Sequence, residues 1–174
     1  MIFVTDGTQT PFDRLVQAAD AWAHARGRRD VFMQIGAGDC VPRHAAWTRF
    51  LEPTEFQEHY RRATLLVAHA GTGSILQALQ AGRPLLVLPR RAAFGETRND
   101  HQLATCAKFA DRGLAVAWTE QELGPLIDRH LAMRSSRGSA SRGPTDLEGW
   151  DGTPRLGPDA SPEILGAVRR FLAQ

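Results

Sequence analysis

At 174 residues the chain is long enough for one well-cored domain and too short for two of ordinary size. It is 43% hydrophobic, and a net charge of +2 with no tract of like charges gives no electrostatic case for nucleic-acid binding. No apolar stretch approaches the ~20 residues needed to cross a bilayer, and two cysteines, Cys40 and Cys106, lack CxxC spacing and read as free thiols of a reducing cytoplasm.

The chain opens directly on an apolar run at residues 2–5, which reads as a strand and leaves no room for a leader. A helix is expected over residues 12–27, burying Leu15, Val16, Ala19 and Trp22 on one face. A second strand covers 31–35, closed by Gly36 and Gly38, and a weaker third covers 48–51. Thr54 is expected to cap a helix through residue 60, with Glu55 and Glu58 near its start. Strands at 65–68, 85–88 and 115–118 alternate with helices at 74–81, 100–112 and 120–133, stopped or capped by Gly82, Gly113 and Thr119. Strands apolar on both faces that alternate with helices indicate an α/β domain: a Rossmann-like parallel sheet covered by helices on both faces. This domain is expected to span residues 1–133. Ser, Arg, Gly, Pro and Asp dominate 134–158, which reads as a flexible linker. An amphipathic helix at 159–174 carries the stripe Ile164, Leu165, Val168, Phe171 and Leu172.

The strand at 65–68 runs through His69 and Ala70 straight into Gly71-Thr72-Gly73-Ser74 and a helical pattern. A buried strand that turns sharply into a helix aims free backbone N–H groups outward, and the helix dipole behind them favours an anion such as a diphosphate. Gly71 and Gly73 would let that backbone approach a ligand with no Cβ in the way. Packing alone also explains many Gly-rich turns. His69 either holds the turn by a hydrogen bond or contacts phosphate. A second cluster follows the strand at 85–88: Pro89-Arg90-Arg91, then Gly95-Glu96-Thr97-Arg98-Asn99-Asp100-His101-Gln102. Asn99 or Asp100 is expected to cap the next helix, and Thr97 and Arg98 to be solvated. His101 and Gln102 are expected to contact a ligand at the sheet mouth. Arg90 and Arg91 read either as anion contacts or as solvated surface.

Taken together, His69-Ala-Gly-Thr-Gly-Ser-Ile-Leu-Gln77, Gly82-Arg-Pro-Leu85 and Asn99-Asp-His-Gln102 resemble the donor-binding, C-terminal half of GT-B glycosyltransferases of the family 28 type. Phe3-Val4-Thr5, Gly7-Thr8-Gln9 and Phe12-Asp13-Arg14-Leu15-Val16 are similar to a narrower group, the small subunits of two-chain transferases such as the PssE type of exopolysaccharide synthesis. The resemblance covers about residues 1–120 and implies a UDP-sugar site. Gly7, Thr8, Gln9 and the residues Gly71, Thr72, Gly73 and Ser74 would meet the diphosphate. Gln77 stands where relatives carry a Glu for the ribose, losing a charge-assisted bond. His101 and Gln102 would read the sugar, and backbone near 50–53 the uracil. Asp6 departs from the pattern and would have to face away from a diphosphate or pair with an arginine. No DxD motif occurs, so neither a metal nor another cofactor is implied, and Arg90 and Arg91 would help the helix start stabilise the leaving diphosphate.

The resemblance supplies only a donor half. The catalytic base and acceptor pocket are therefore expected on a membrane-anchored, PssD-like partner that presents a lipid-linked sugar acceptor and recruits this cytoplasmic subunit to the inner face of the cell membrane. The expected activity is inverting hexosyl transfer from a UDP-sugar to a polyprenyl-diphosphate-linked acceptor. A non-catalytic nucleotide-sugar-binding or regulatory module is the alternative, and a UDP-sugar epimerase fragment a third.

Overall fold

The computed structural model describes residues 1–110 and 114–137. Six strands form one sheet: β1 (Ile2–Thr5), β2 (Val31–Gln34), β3 (Ala46–Thr48), β4 (Leu65–His69), β5 (Leu85–Leu88) and β6 (Ala115–Val116). Their order is β3-β2-β1-β4-β5-β6, and every neighbouring pair is parallel. This is the doubly wound order, in which the crossovers change direction between β1 and β4. There Thr5 pairs with Ala68, so two adjacent strands end level and their loops leave toward opposite sides. A crevice follows from that divergence.

Side chains alternate along each strand and feed two separate cores. Ile2, Val4, Val67, Leu86 and Leu88 pack with α1 (Asp13–Ala25) and α5 (Glu120–Arg137). Phe3, Leu66, Ala68, Leu85 and Val87 pack with α2 (Pro53–Arg62), α3 (Thr72–Gln80) and α4 (His101–Ala110). Burial on both faces explains why these strands read as continuous apolar runs, with each fully buried Leu or Ile contributing ~1.5–3 kcal/mol. Across the first core, Trp22 of α1 donates its indole N–H to Asp128 of α5 at 3.0 Å.

Several boundaries differ from expectation. β3 is Ala46–Thr48 rather than 48–51, a short edge strand whose Trp47 is exposed. α1 spans Asp13–Ala25, shorter at both ends than 12–27. α2 begins at Pro53, not after a Thr54 cap: the Glu52 amide donates to Glu55 Oε2 at 3.2 Å, and proline at the first helical position loses no intrahelical bond. α3 begins at Thr72, two residues early, and β6 ends at Val116 because the Trp118 amide already turns to Glu122 Oε2 at 2.9 Å. α5 continues to Arg137, past the expected end at 133. The Gly113 stop, the rest of the 134–158 linker and the 159–174 helix lie outside the described residues.

Candidate functional site

A cavity of about 1010 Å³ opens at the carboxyl ends of β1, β4 and β5, where the crossover direction changes. Gly7, Thr8 and Gln9 from the loop after β1 line one side. Gly71, Thr72, Gly73, Ser74 and Gln77 line it from α3, and His69 from the end of β4. The sequence had placed all of these at one site.

His69 joins the two glycine loops by packing. A Cβ on Gly7 would stand 2.7 Å from its Cε1, and one on Gly71 only 2.3 Å from its Nε2. Gly7 also has φ +86, a conformation that favours glycine. The missing Cβ of Gly71 therefore makes room for the imidazole, while Gly71 itself lines the cavity. His69 Nδ1 is buried with no hydrogen-bond partner among the described residues, so it does not secure the turn by a hydrogen bond from that atom. Burial, reinforced by the nearby Arg90 and His101, pushes the ring down to about 3 and keeps it neutral at physiological pH.

Gly73 is different. A Cβ there would meet nothing within 4 Å, so the helix start faces open space. The first main-chain bond at this end of α3 runs from Ile75 N–H to Gly71 O at 3.1 Å. The amides of Thr72, Gly73 and Ser74 thus stand outside the helical ladder, with the dipole behind them.

Arg90 is 4% exposed, which removes the reading of a solvated side chain. Its guanidinium donates to the carbonyls of Asp6 and Thr10 and to Thr10 Oγ1, clamping the loop after β1 while lining the cavity. Arg91 is a correction: it lies outside the cavity and donates to the Trp118 carbonyl at 2.6 Å. Its backbone is extended (φ −123, ψ 133), so neighbouring side chains point to opposite sides. Asp6 also faces away. Its carboxylate packs on Gly36, where a Cβ would stand 3.0 Å from both oxygens. Burial pushes that carboxyl up to about 7, against the pull of Arg90.

Gln102 is buried at the cavity edge, where its Oε1 accepts the Arg90 amide at 3.1 Å. His101 is exposed, and both its amide and its Nδ1 meet Asn99 Oδ1. Asp100 instead accepts the Ala92 amide, so Asn99 serves the α4 start. Thr97 and Arg98 line the cavity together with Asn99, Arg98 remaining exposed as expected. Sequence reading also missed Gln34, 2% exposed, which donates to Thr5 Oγ1 and the Gly7 carbonyl and accepts the Leu51 amide at 3.3 Å. A polar residue closing an apolar strand was its signal. That Leu51 bond occupies a main-chain donor in the stretch 50–53 assigned to uracil. Leu51, Pro53 and nearby Phe56 add apolar surface to the cavity at this end. No carboxylate lines the cavity among the described residues.

The family model described as "Glycosyltransferase family 28 C-terminal domain" matches residues 1–142. The chain belongs to this family. The family 28 chain is 30% identical over 122 residues to the human protein named UDP-N-acetylglucosamine transferase subunit ALG13, an alignment that covers 64% of this chain and 10% of that one. It thus spans about a tenth of the length of that curated relative. Among solved structures it is similar to MurG from Acinetobacter baumannii, with TM-score 0.55 and 18% identity, covering 79% of this chain and 41% of that one. A structure described as a putative UDP-N-acetylglucosamine 2-epimerase from Listeria monocytogenes gives TM-score 0.55 at 13% identity, covering 99% of this chain and 45% of that one. These likenesses show the fold, a Rossmann-like α/β domain of the kind that makes up one half of the GT-B fold.

Proposed function

We propose that this chain is the donor-binding, catalytic subunit of a two-chain inverting glycosyltransferase that uses a UDP-sugar. The observation that carries the reading is the α3 N-terminus: three amides outside the helical ladder at a cavity wall, with Gly73 facing free space. A diphosphate seated there accepts main-chain hydrogen bonds, and the same amides stabilise it as the leaving group. The cavity's polar set consists of amides, hydroxyls, imidazoles and guanidinium groups, which suits an anion and offers no carboxylate to a divalent cation. Gln77, Asn99 and His101 provide donors and acceptors for ribose and hexose hydroxyls, and Leu51, Pro53 and Phe56 an apolar bed for the base.

Transfer with inversion needs a base at the acceptor hydroxyl. A histidine at about 3 is a poor match to neutral pH, and no carboxylate lines the cavity among the described residues. Both features support a second, membrane-anchored chain of the PssD type that supplies the base and presents a polyprenyl-diphosphate-linked sugar, as in exopolysaccharide assembly. It would recruit this subunit to the inner face of the cell membrane. The name of the human relative supports a subunit organisation and makes UDP-GlcNAc the first donor to test. Calorimetry with UDP and UDP-GlcNAc in EDTA is expected to show binding, and transfer to appear on adding the partner. No UDP binding, or binding only with a divalent ion, overturns the site. Gln77, with its neutral amide at the cavity, favours the alternative of a binding module. That alternative binds donor and stays silent with the partner present.

A further inference from the structure

The stretch Phe12-Asp13-Arg14-Leu15-Val16 contributes no residue to the cavity wall, yet Arg14 connects three parts of the fold. It sits in the first turn of α1 with a side chain 13% exposed. Its guanidinium grips Glu96 as a fork, Nε to Oε1 at 2.8 Å and Nη2 to Oε2 at 2.9 Å. It also donates to the Pro89 carbonyl at 2.9 Å and to Glu120 Oε2 at 3.0 Å. Fork pairing fixes orientation as well as distance, which a point charge does not.

Glu96 belongs to the loop between β5 and α4. That loop's outgoing limb gives three successive amide hydrogens to side chains of its returning limb and of the first turn of α4. Arg90 donates to Gln102 Oε1 at 3.1 Å, Arg91 to Glu96 Oε2 at 2.9 Å and Ala92 to Asp100 Oδ1 at 2.8 Å. Thr97, Arg98 and Asn99 stand between Glu96 and Asp100 and form the cavity wall. The wall therefore hangs between two carboxylates, and Glu96 is the one that Arg14 ties to α1. The Phe12 ring lies against both Arg14 and Arg90, at 5.3 and 5.2 Å, so the clamp on the loop after β1 adjoins the same unit.

We propose that Arg14 is a positioning residue for the sugar end of the donor site: through Glu96 it holds the β5–α4 loop where Thr97–Asn99 meet the bound sugar. This rests on the donor-site reading above. The diphosphate is held mainly by the α3 amides on the other side, so the same loop affects it less than the sugar.

The test uses the full chain with Arg14→Gln, read by calorimetry with UDP and UDP-GlcNAc and by amide exchange at Arg91. The expected result is a loss of at least tenfold in UDP-GlcNAc affinity, less than threefold in UDP affinity, and at least tenfold faster exchange at Arg91. Glu96→Gln reproduces the split and carries the test alone if Arg14→Gln does not fold. Arg14→Lys, which keeps the charge without the fork, gives an intermediate loss. Equal losses for both ligands, or a lower Tm with the affinity ratio unmoved, overturn the proposal. If the unsubstituted chain binds neither ligand, the donor-site reading fails and the positioning role with it. If it binds both and the variants keep the ratio, only the positioning role falls.

Discussion

Gln102 reaches back to Arg90, its Oε1 accepting the Arg90 amide hydrogen at 3.1 Å while the residue itself is 4% exposed. The side chain thus holds the outgoing end of β5 as well as facing the cavity. Gln102→Ala leaves a buried amide without an acceptor, a loss of about 1–3 kcal/mol. The expected outcome is a clear drop in Tm together with weaker UDP-sugar binding. Gln102→Glu, which keeps an acceptor in place, retains most of the Tm. A thermal melt of Gln102→Ala matching the unsubstituted chain would falsify the tie to Arg90.

Asp6 sets a pH dependence of stability. Its carboxyl is 1% exposed, both oxygens lack a hydrogen-bond partner among the described residues, and burial pushes it up to about 7 from 3.8. Of the charges that bear on it, Arg90 pulls it down and Asp13 adds to the rise. The folded chain therefore holds a proton that the unfolded chain releases. This contribution is fully present below 3.8 and is lost as pH rises through about 7. At 1.36 kcal/mol per pH unit the loss amounts to roughly 4 kcal/mol by pH 8. Asp6→Asn is expected to gain Tm over the unsubstituted chain progressively from pH 4 to 7 and to level off above. A Tm difference constant across that range rules out the buried carboxyl as the cause.

The two glycines of the α3 turn are expected to separate. Gly71→Ala drives a Cβ to 2.3 Å from the His69 ring, so it destabilises the fold, by about 1–3 kcal/mol on the scale of overpacked cores. His69→Ala in the same chain relieves the clash, and a double-mutant cycle measures the coupling. Gly73→Ala meets open space and keeps the Tm, whereas Gly73→Asp keeps the fold but removes UDP binding by setting a carboxylate at the amides. Additive Tm losses for Gly71→Ala and His69→Ala would show that the ring does not pack on that glycine.

Much of this was legible in the chain. Runs such as Leu65-Leu66-Val67-Ala68, apolar at every position, identified strands buried on both faces and hence a parallel sheet. The loops at their carboxyl ends then fell at one mouth. The misses have physical causes. Phe50 and Leu51 suggested a third strand, but Leu51 is apolar because it lines the cavity, and pairing stops at Thr48. Gly73 made Thr72–Gly73 look like loop, although glycine costs little at an unladdered helix start. Arg90 and Arg91 read as a pair, and the extended backbone splits them to opposite sides. Arg14 was visible as part of a motif, but nothing local shows that its partner stands 82 residues away at Glu96.

The last expectation concerns turnover by the chain alone. General-base catalysis works best with a group whose pKa lies near the working pH and within hydrogen-bond reach of the acceptor hydroxyl. His69, at about 3, is a weak base packed between two glycines, and no carboxylate lines the cavity among the described residues. His101 is the other imidazole there, exposed at the head of α4 and engaged by Asn99 Oδ1. The purified chain is therefore expected to bind UDP-GlcNAc and transfer nothing to a polyprenyl-diphosphate-linked GlcNAc in detergent, at any pH from 5 to 9. His101→Ala is then expected to change donor affinity and leave the pH dependence of the two-chain enzyme untouched. Measurable transfer by the chain alone that is lost in His101→Ala would place the base on this subunit and remove the need for a second chain to supply it.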